Sequence, residues 1–231
     1  MRLPNMRKNM QPLRANTLAL RKRLITQTIL GLTLFIMGVS QASAEEPRIV
    51  FLGDSLTAGF GLAVTEAYPA LIEEKLRAAD KHFRVVNAGV SGDTTSGGLQ
   101  RVGWISKDRI DLLVLALGGN DGLRGLDPGL TKSNLGAIID AVRSKYPKVK
   151  ILLAGMLAPP NLGEQYTSAF RNAFTETAAE KHVAFLPFLL EDVAAHPELN
   201  QGDGIHPTAA GQKIVAEHVW SALQPLLAEL Q

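Results

Sequence analysis

Four short apolar runs rich in β-branched residues, Arg48 to Leu52, Phe83 to Val86, Leu112 to Leu117 and Val149 to Ala154, punctuate the chain, with a shorter one at Val183 to Leu186. Their apolar character is continuous instead of alternating, which predicts strands covered on both faces. Stretches of helical period lie between them, notably Ala67 to Ala79, Leu130 to Lys145 and Glu164 to His182, and a last helix is expected from about Thr208 to Leu227. The order βαβαβαβαβα calls for a mostly parallel five-stranded sheet between two helical layers, an α/β three-layer sandwich. No internal repeat, low-complexity tract or second-domain linker interrupts this order.

The first 44 residues do not fit the pattern. They carry seven Lys/Arg and no acid, and Arg21-Lys22-Arg23 leads into an apolar core from Ile29 to Val39 that ends before Ala42-Ser43-Ala44. This reads as a secretory signal with cleavage before Glu45, because 11 apolar residues fall well short of the roughly 20 that cross a bilayer. Lys22 breaks a twin-arginine pattern, and a chain without cysteine has no site for a lipid anchor. The expectation is a protein exported to the periplasm or the exterior, with no stable membrane anchor and residues 45–231 as one domain. Removing the leader lowers Lys plus Arg from 24 to 17 while all 22 Asp plus Glu remain, so the formal charge moves from +2 to −5. The basic balance belongs to the leader, and nothing after it suggests the clustered cations of a nucleic-acid partner.

Ligands of open parallel sheets sit beyond the carboxyl ends of the strands, so the residues that directly follow each apolar run are where chemistry is expected. Three such loops are informative: Gly53-Asp54-Ser55, Asn87 to Thr94, and Gly118-Gly119-Asn120-Asp121-Gly122. A fourth segment, Asp203-Gly204-Ile205-His206-Pro207, precedes the last helix and can fold over the same edge. A serine after a strand most often caps a helix. With a histidine and an aspartate three positions before it, the same serine has a base and an orienter: Asp203 accepts from Nδ1–H of His206 and leaves Nε2 to take the Ser55 proton. Gly92 offers a backbone N–H in a conformation that other residues resist, or serves as an ordinary turn glycine; Asn120, an uncharged side-chain donor, suits a developing oxyanion, as does the Ser55 N–H at a helix start. Asp54, Asp93 and Asp121 read as residues that tie loops. His82, His182, His196 and His218 lie in or beside helices without a nearby motif.

Taken in order, Gly53-Asp54-Ser55-Leu56, Gly89 to Thr94, Gly118-Gly119-Asn120-Asp121 and Asp203-x-x-His206 resemble the successive blocks of the GDSL, or SGNH, hydrolases. The run Gly118 to Gly125 together with Asp203 to Pro207 resembles more narrowly the periplasmic multifunctional thioesterase, arylesterase and lysophospholipase subgroup. The resemblance implies a flavodoxin-like sandwich and hydrolysis of small esters, thioesters or lysolipids through an acyl-enzyme. Ser55 would be nucleophile, His206 base, Asp203 orienter and Ser55 N–H, Gly92 and Asn120 oxyanion donors, with no metal or organic cofactor. The chain departs from the subgroup at Phe60-Gly61-Leu62 and at Met156 to Pro160. Leu123, Leu126, Met156 and Leu157 are candidates to line an acyl groove, though each equally suits buried packing.

Two other classes compete. A metal-dependent phosphoesterase would gather Asp54, Asp93, Asn120, Asp121, Asp203 and His206 round a divalent ion, but it leaves Ser55 idle and has one histidine to offer. A noncatalytic lipid- or carbohydrate-binding module of the same fold would not need Ser55, Asp203 and His206 together. A nucleotide site fails on detail, since Val64 stands where a dinucleotide loop needs a third small residue.

Overall fold

The computed structural model describes residues 45–230, so the signal segment expected over residues 1–44 lies outside them. Strands β1 (Arg48–Gly53), β2 (Arg84–Gly89), β3 (Leu112–Ala116), β4 (Lys150–Ala154) and β5 (Ala184–Leu186) form one sheet in the order β2-β1-β3-β4-β5. Every adjacent pair is parallel, so a sheet expected to be mostly parallel is wholly so. The order is that of flavodoxin-like folds. β1 and β3 sit at the centre, and Ile49 to Leu52 and Leu112 to Leu117 have no accessible surface, which accounts for their unbroken apolar runs.

The edge strand β2 runs three residues beyond the Val86 end expected from hydrophobicity. Asn87-Ala88-Gly89 extends it because Asn87 meets its own needs: Nδ2 donates to the Thr57 carbonyl at 2.8 Å and Oδ1 accepts from Gly89 N–H at 2.9 Å. Polar side chains with partners are compatible with strand pairing although they carry no hydrophobic signal.

Among the described residues seven α-helices alternate with these strands, in chain order: α1 (Ser55–Ala58), α2 (Tyr68–Ala78), α3 (Thr95–Ile105), α4 (Gly119–Leu123), α5 (Pro128–Lys145), α6 (Glu164–Lys181) and α7 (Ala209–Ala228). α2 packs on α7, while α3 packs on α5 and α5 on α6. The 3.6-residue period locates α2, α5, α6 and α7 to within two residues at either end. It gives no bounds for α3, whose Gly97, Gly98 and Gly103 dilute the period. Gly98 is there for contact: a Cβ would collide with Leu117, so the missing side chain lets α3 lie close to the end of β3. Among the described residues no helix is long and apolar enough to cross a membrane.

Register brings the loops together. Gly53 at the end of β1 pairs with Gly89 of β2 and with Ala116 of β3, so three neighbouring strands finish at one level. The loops after them therefore open onto the same edge.

Candidate active site

At that edge β1 turns into α1. The cap of α1 is Asp54: its Oδ1 accepts from Leu56 N–H at 3.0 Å, and the helix ends one turn later at Gly59 with φ of 75°. Ser55 is the first helical residue, so its hydroxyl is not spent on capping. Asp54 is almost fully enclosed, and loss of water raises its carboxyl from 3.8 to about 6, against the lowering effect of the Leu56 hydrogen bond and of His206.

The fourth loop reaches Ser55 from the far end of the chain. Ser55 Oγ lies 2.9 Å from Nε2 of His206, and Nδ1 of the same ring lies 2.7 Å from Oδ2 of Asp203. Asp203 Oδ1 also accepts from the backbone N–H of His206 at 3.0 Å and of Ile205 at 2.9 Å. These bonds, led by the His206 N–H, hold the Asp203 carboxyl well below the ordinary range. An ionised carboxylate only accepts, so the Nδ1 proton stays on the Asp203 side and Nε2 is left as acceptor for the serine hydroxyl.

The 200–207 segment is held by residues that no motif advertises. Gln201 N–H donates to the His206 carbonyl at 2.7 Å, and Gln201 Nε2 donates to the carbonyls of Phe60 at 2.7 Å and Pro207 at 3.0 Å. Gln201 thus ties the His206 loop to the segment leaving α1. Phe60 packs its ring against the His206 imidazole, centroids 4.5 Å apart. Phe60-Gly61-Leu62 stands out in the sequence only as a departure from the pattern the chain resembles, which does not reveal this contact; Gln201 has no local signal.

Asn120 heads α4 and joins two loops. Its Nδ2 donates to the Asp93 carbonyl at 2.9 Å and lies 3.5 Å from Oδ2 of Asp54. Gly92 stands just before Asp93, in a turn closed by Asp93 N–H on the Val90 carbonyl at 3.1 Å. Its φ of 80° is the left-handed conformation that favours glycine. Arg124 Nη2 donates to the Gly92 carbonyl at 2.9 Å. Ser55, His206 and Asp203 are thus linked directly, and Asn120 is linked to their loop through Asp54. Gly92 adjoins the Asn120 contact at Asp93 and is not among the residues lining the cleft described below.

The other acids are engaged elsewhere. Asp93 accepts from Arg101 Nε at 2.7 Å, and Asp121, buried, accepts from the Thr95 N–H at 2.9 Å and the Thr95 hydroxyl at 2.5 Å, which pins α4 to the start of α3. Among the described residues no three His, Cys, Asp or Glu side chains are grouped so as to hold a metal ion. Of the remaining histidines, His82, His196 and His218 lie beside Asp80, Glu198 and Asp192, and His182 ends α6.

A cleft of about 650 Å³ opens beside Ser55 and His206. Asn120 lines one part of it, and Leu123, Met156, Leu157, Pro159 and Ile205 give it an apolar wall. Met156 is buried and Leu123 and Leu157 are about half exposed. Leu126, the fourth candidate for an acyl groove, is not part of the lining; its carbonyl accepts from the Tyr166 hydroxyl at 2.6 Å.

The structure thus sets a serine, a histidine and an aspartate in hydrogen-bond sequence beside an apolar cleft at the carboxyl edge of a parallel α/β sandwich. Residues 51–214 match the GDSL-like Lipase/Acylhydrolase family, and the chain belongs to it. It is 38% identical to the esterase TesA of Pseudomonas aeruginosa over 198 residues, which cover 85% of this chain and 96% of that protein. It is 37% identical to the thioesterase 1/protease 1/lysophospholipase L1 of Escherichia coli K12, with 84% of this chain and 91% of that protein covered. Among solved structures, AlinE4, an SGNH-hydrolase family esterase, superposes with a TM-score of 0.66 at 42% identity, over 82% of this chain and 98% of that one. The protein is therefore an enzyme of a family whose named members are esterases, thioesterases and lysophospholipases.

Proposed function

We propose that the protein hydrolyses small carboxylic esters, thioesters or lysolipids through an acyl-enzyme on Ser55. The observation that carries this reading is the chain of contacts from Ser55 Oγ through His206 to Asp203, at 2.9 and 2.7 Å. His206 Nε2 takes the hydroxyl proton as Ser55 Oγ attacks the carbonyl carbon, and Asp203 holds the ring and stabilises the imidazolium that forms. The tetrahedral intermediate places negative charge on the former carbonyl oxygen. Donors for it are the N–H groups of Ser55 and Gly92 and the Asn120 amide, which gives one N–H to the Asp93 carbonyl at 2.9 Å and whose other partner is only the long 3.5 Å contact to Asp54, displaced when an oxyanion takes that N–H. Collapse breaks the bond to the alkoxide or thiolate, which leaves with the proton from His206. Water then loses a proton to His206, attacks the acyl carbon and releases the acid, restoring Ser55.

The apolar wall supports an acyl group as the part of the substrate that enters the cleft. The leader composition supports export, with the periplasm as the place of action, where small esters and lysolipids are better matched substrates than coenzyme A thioesters. Nitrophenyl esters of increasing acyl length, assayed beside a lysophospholipid, test both reaction and substrate. Turnover that falls by about 10⁶-fold in Ser55→Ala and by about 10⁴-fold in Asp203→Asn supports the reading; Ser55→Ala with undiminished turnover overturns it.

A further inference from the structure

The three proposed oxyanion donors come from three different loops, and each leads in very few steps to one guanidinium. Arg101, on α3, donates Nε to Asp93 Oδ2 at 2.7 Å, Nη1 to the Ala88 carbonyl at 2.7 Å and Nη2 to the Gly53 carbonyl at 2.8 Å. Gly53 ends β1 two residues before Ser55, and its carbonyl also accepts from Val90 N–H at 3.0 Å. Ala88 lies near the end of β2, where the chain departs towards Gly92. Asp93 directly follows Gly92, and its own carbonyl takes the Asn120 amide at 2.9 Å.

We propose that Arg101 is a positioning residue that fixes the spacing of the three oxyanion donors. This rests on the serine-hydrolase reading above and adds to it a residue that touches neither substrate nor Ser55. Donors aimed in advance at the developing charge stabilise it without reorganising, and a displacement of about 1 Å at such a site costs on the order of 10²-fold in rate. A guanidinium suits the task because its planar fork presents five N–H groups in fixed directions, enough for three acceptors on three segments. An ammonium in the same place is a single point and cannot reach all three with the same geometry. The group is also sheltered, with side-chain exposures of 21% for Arg101 and 10% for Asp93, so their ion pair is screened less than a surface one. Arg124 holds the outer side of the same turn through one exposed bond to the Gly92 carbonyl. It is a lesser brace.

The proposal makes loss of the fork a defect of kcat. With a nitrophenyl ester, Arg101→Lys lowers kcat by about 10- to 100-fold while KM stays within about threefold, since the interaction lost serves the transition state. The His206–Asp203 pair is untouched, so the acid limb of the pH–rate profile keeps its wild-type midpoint. Arg101→Ala loses more, and added methylguanidinium restores part of its kcat but none in Arg101→Lys, whose ammonium occupies the site. Urea unfolding of each variant reports the folded fraction, to which the rates are normalised. Folded Arg101→Lys with wild-type kcat overturns the proposal, as does a loss confined to KM. Should Ser55→Ala keep wild-type turnover in the same assay, the serine reading itself fails and the Arg101 result does not bear on it.

Discussion

Asp54 and Ser55 are neighbours with separate tasks, and the division follows from which oxygen does the capping. Because Asp54 takes the Leu56 N–H, the Ser55 hydroxyl is available to His206. A serine after a strand in the sequence most often predicts a cap, and it was the distant His206 and Asp203 that turned the reading towards a nucleophile; the role of Asp54 as a tie was legible in the sequence. What the sequence does not show is the burial that this tie entails. The unfolded carboxyl ionises near 3.8 and the folded one near 6, so the folded state holds the proton more tightly and Asp54 weakens folding as pH rises from about 4 to 6. Asp54→Asn keeps an oxygen for the cap and removes the charge. Urea titrations should find the variant gaining stability relative to wild type across that window, by on the order of 3 kcal/mol at pH 7. A constant difference from pH 4 to 7 would show that the carboxyl is not penalised by burial. The active-site acid limb has the opposite origin: protonated imidazole cannot accept from Ser55, so kcat/KM should fall towards low pH, and a rate that stays flat down to pH 4 would remove His206 as the base.

At the level of elements, strand ends place the chemistry, and glycines set how closely elements meet there. The apolar runs of β1, β3 and β4 were legible because central parallel strands are buried on both sides, whereas the end of β2 and the whole of α3 were not. β2 closes with Asn87-Ala88-Gly89, whose fitness lies in hydrogen bonds, and α3 carries glycines that contact requires and propensity disfavours. Arg101 and Gln201 were invisible for a related reason: most of their partners are backbone carbonyls, those of Ala88 and Gly53 for Arg101 and of Phe60 and Pro207 for Gln201, and a carbonyl carries no residue-type signal to find. Gly89 makes the point testable. A Cβ there would stand 2.9 Å from Ala58 Cα and from the Asp54 carbonyl, with Ala58 N closer still, so α1 rests on the backbone of β2. Gly89→Ala must push α1, and Ser55 with it, off the strand. Unfolding measurements are expected to show a loss of about 1–3 kcal/mol, with a fall in kcat beyond the folded fraction. An alanine variant as stable and active as wild type would mean that α1 has room to move without consequence.

Across the whole molecule, two ends of the chain act together: a serine after the first strand meets a histidine about 150 residues later because the sheet order places β1 inside the sheet, beside β3, and the last loop returns over its end. That return was legible from the ordered blocks, while the shape of the cleft was not, as Leu126 illustrates by standing outside its lining. The leader belongs to this scale as well. Expression of residues 1–231 in a bacterium with a general secretory system should yield a periplasmic protein whose amino-terminal sequencing begins at Glu45; an intact leader on membrane-bound protein would contradict the export reading. Ser55 as nucleophile is the centre of the proposed chemistry, and covalent capture reads that directly. After exposure to a fluorophosphonate, intact mass and peptide mapping should find one adduct per chain, on Ser55, formed far more slowly in His206→Gln and absent from Ser55→Ala. Equal labelling of wild type and Ser55→Ala, or labelling of neither, would contradict it.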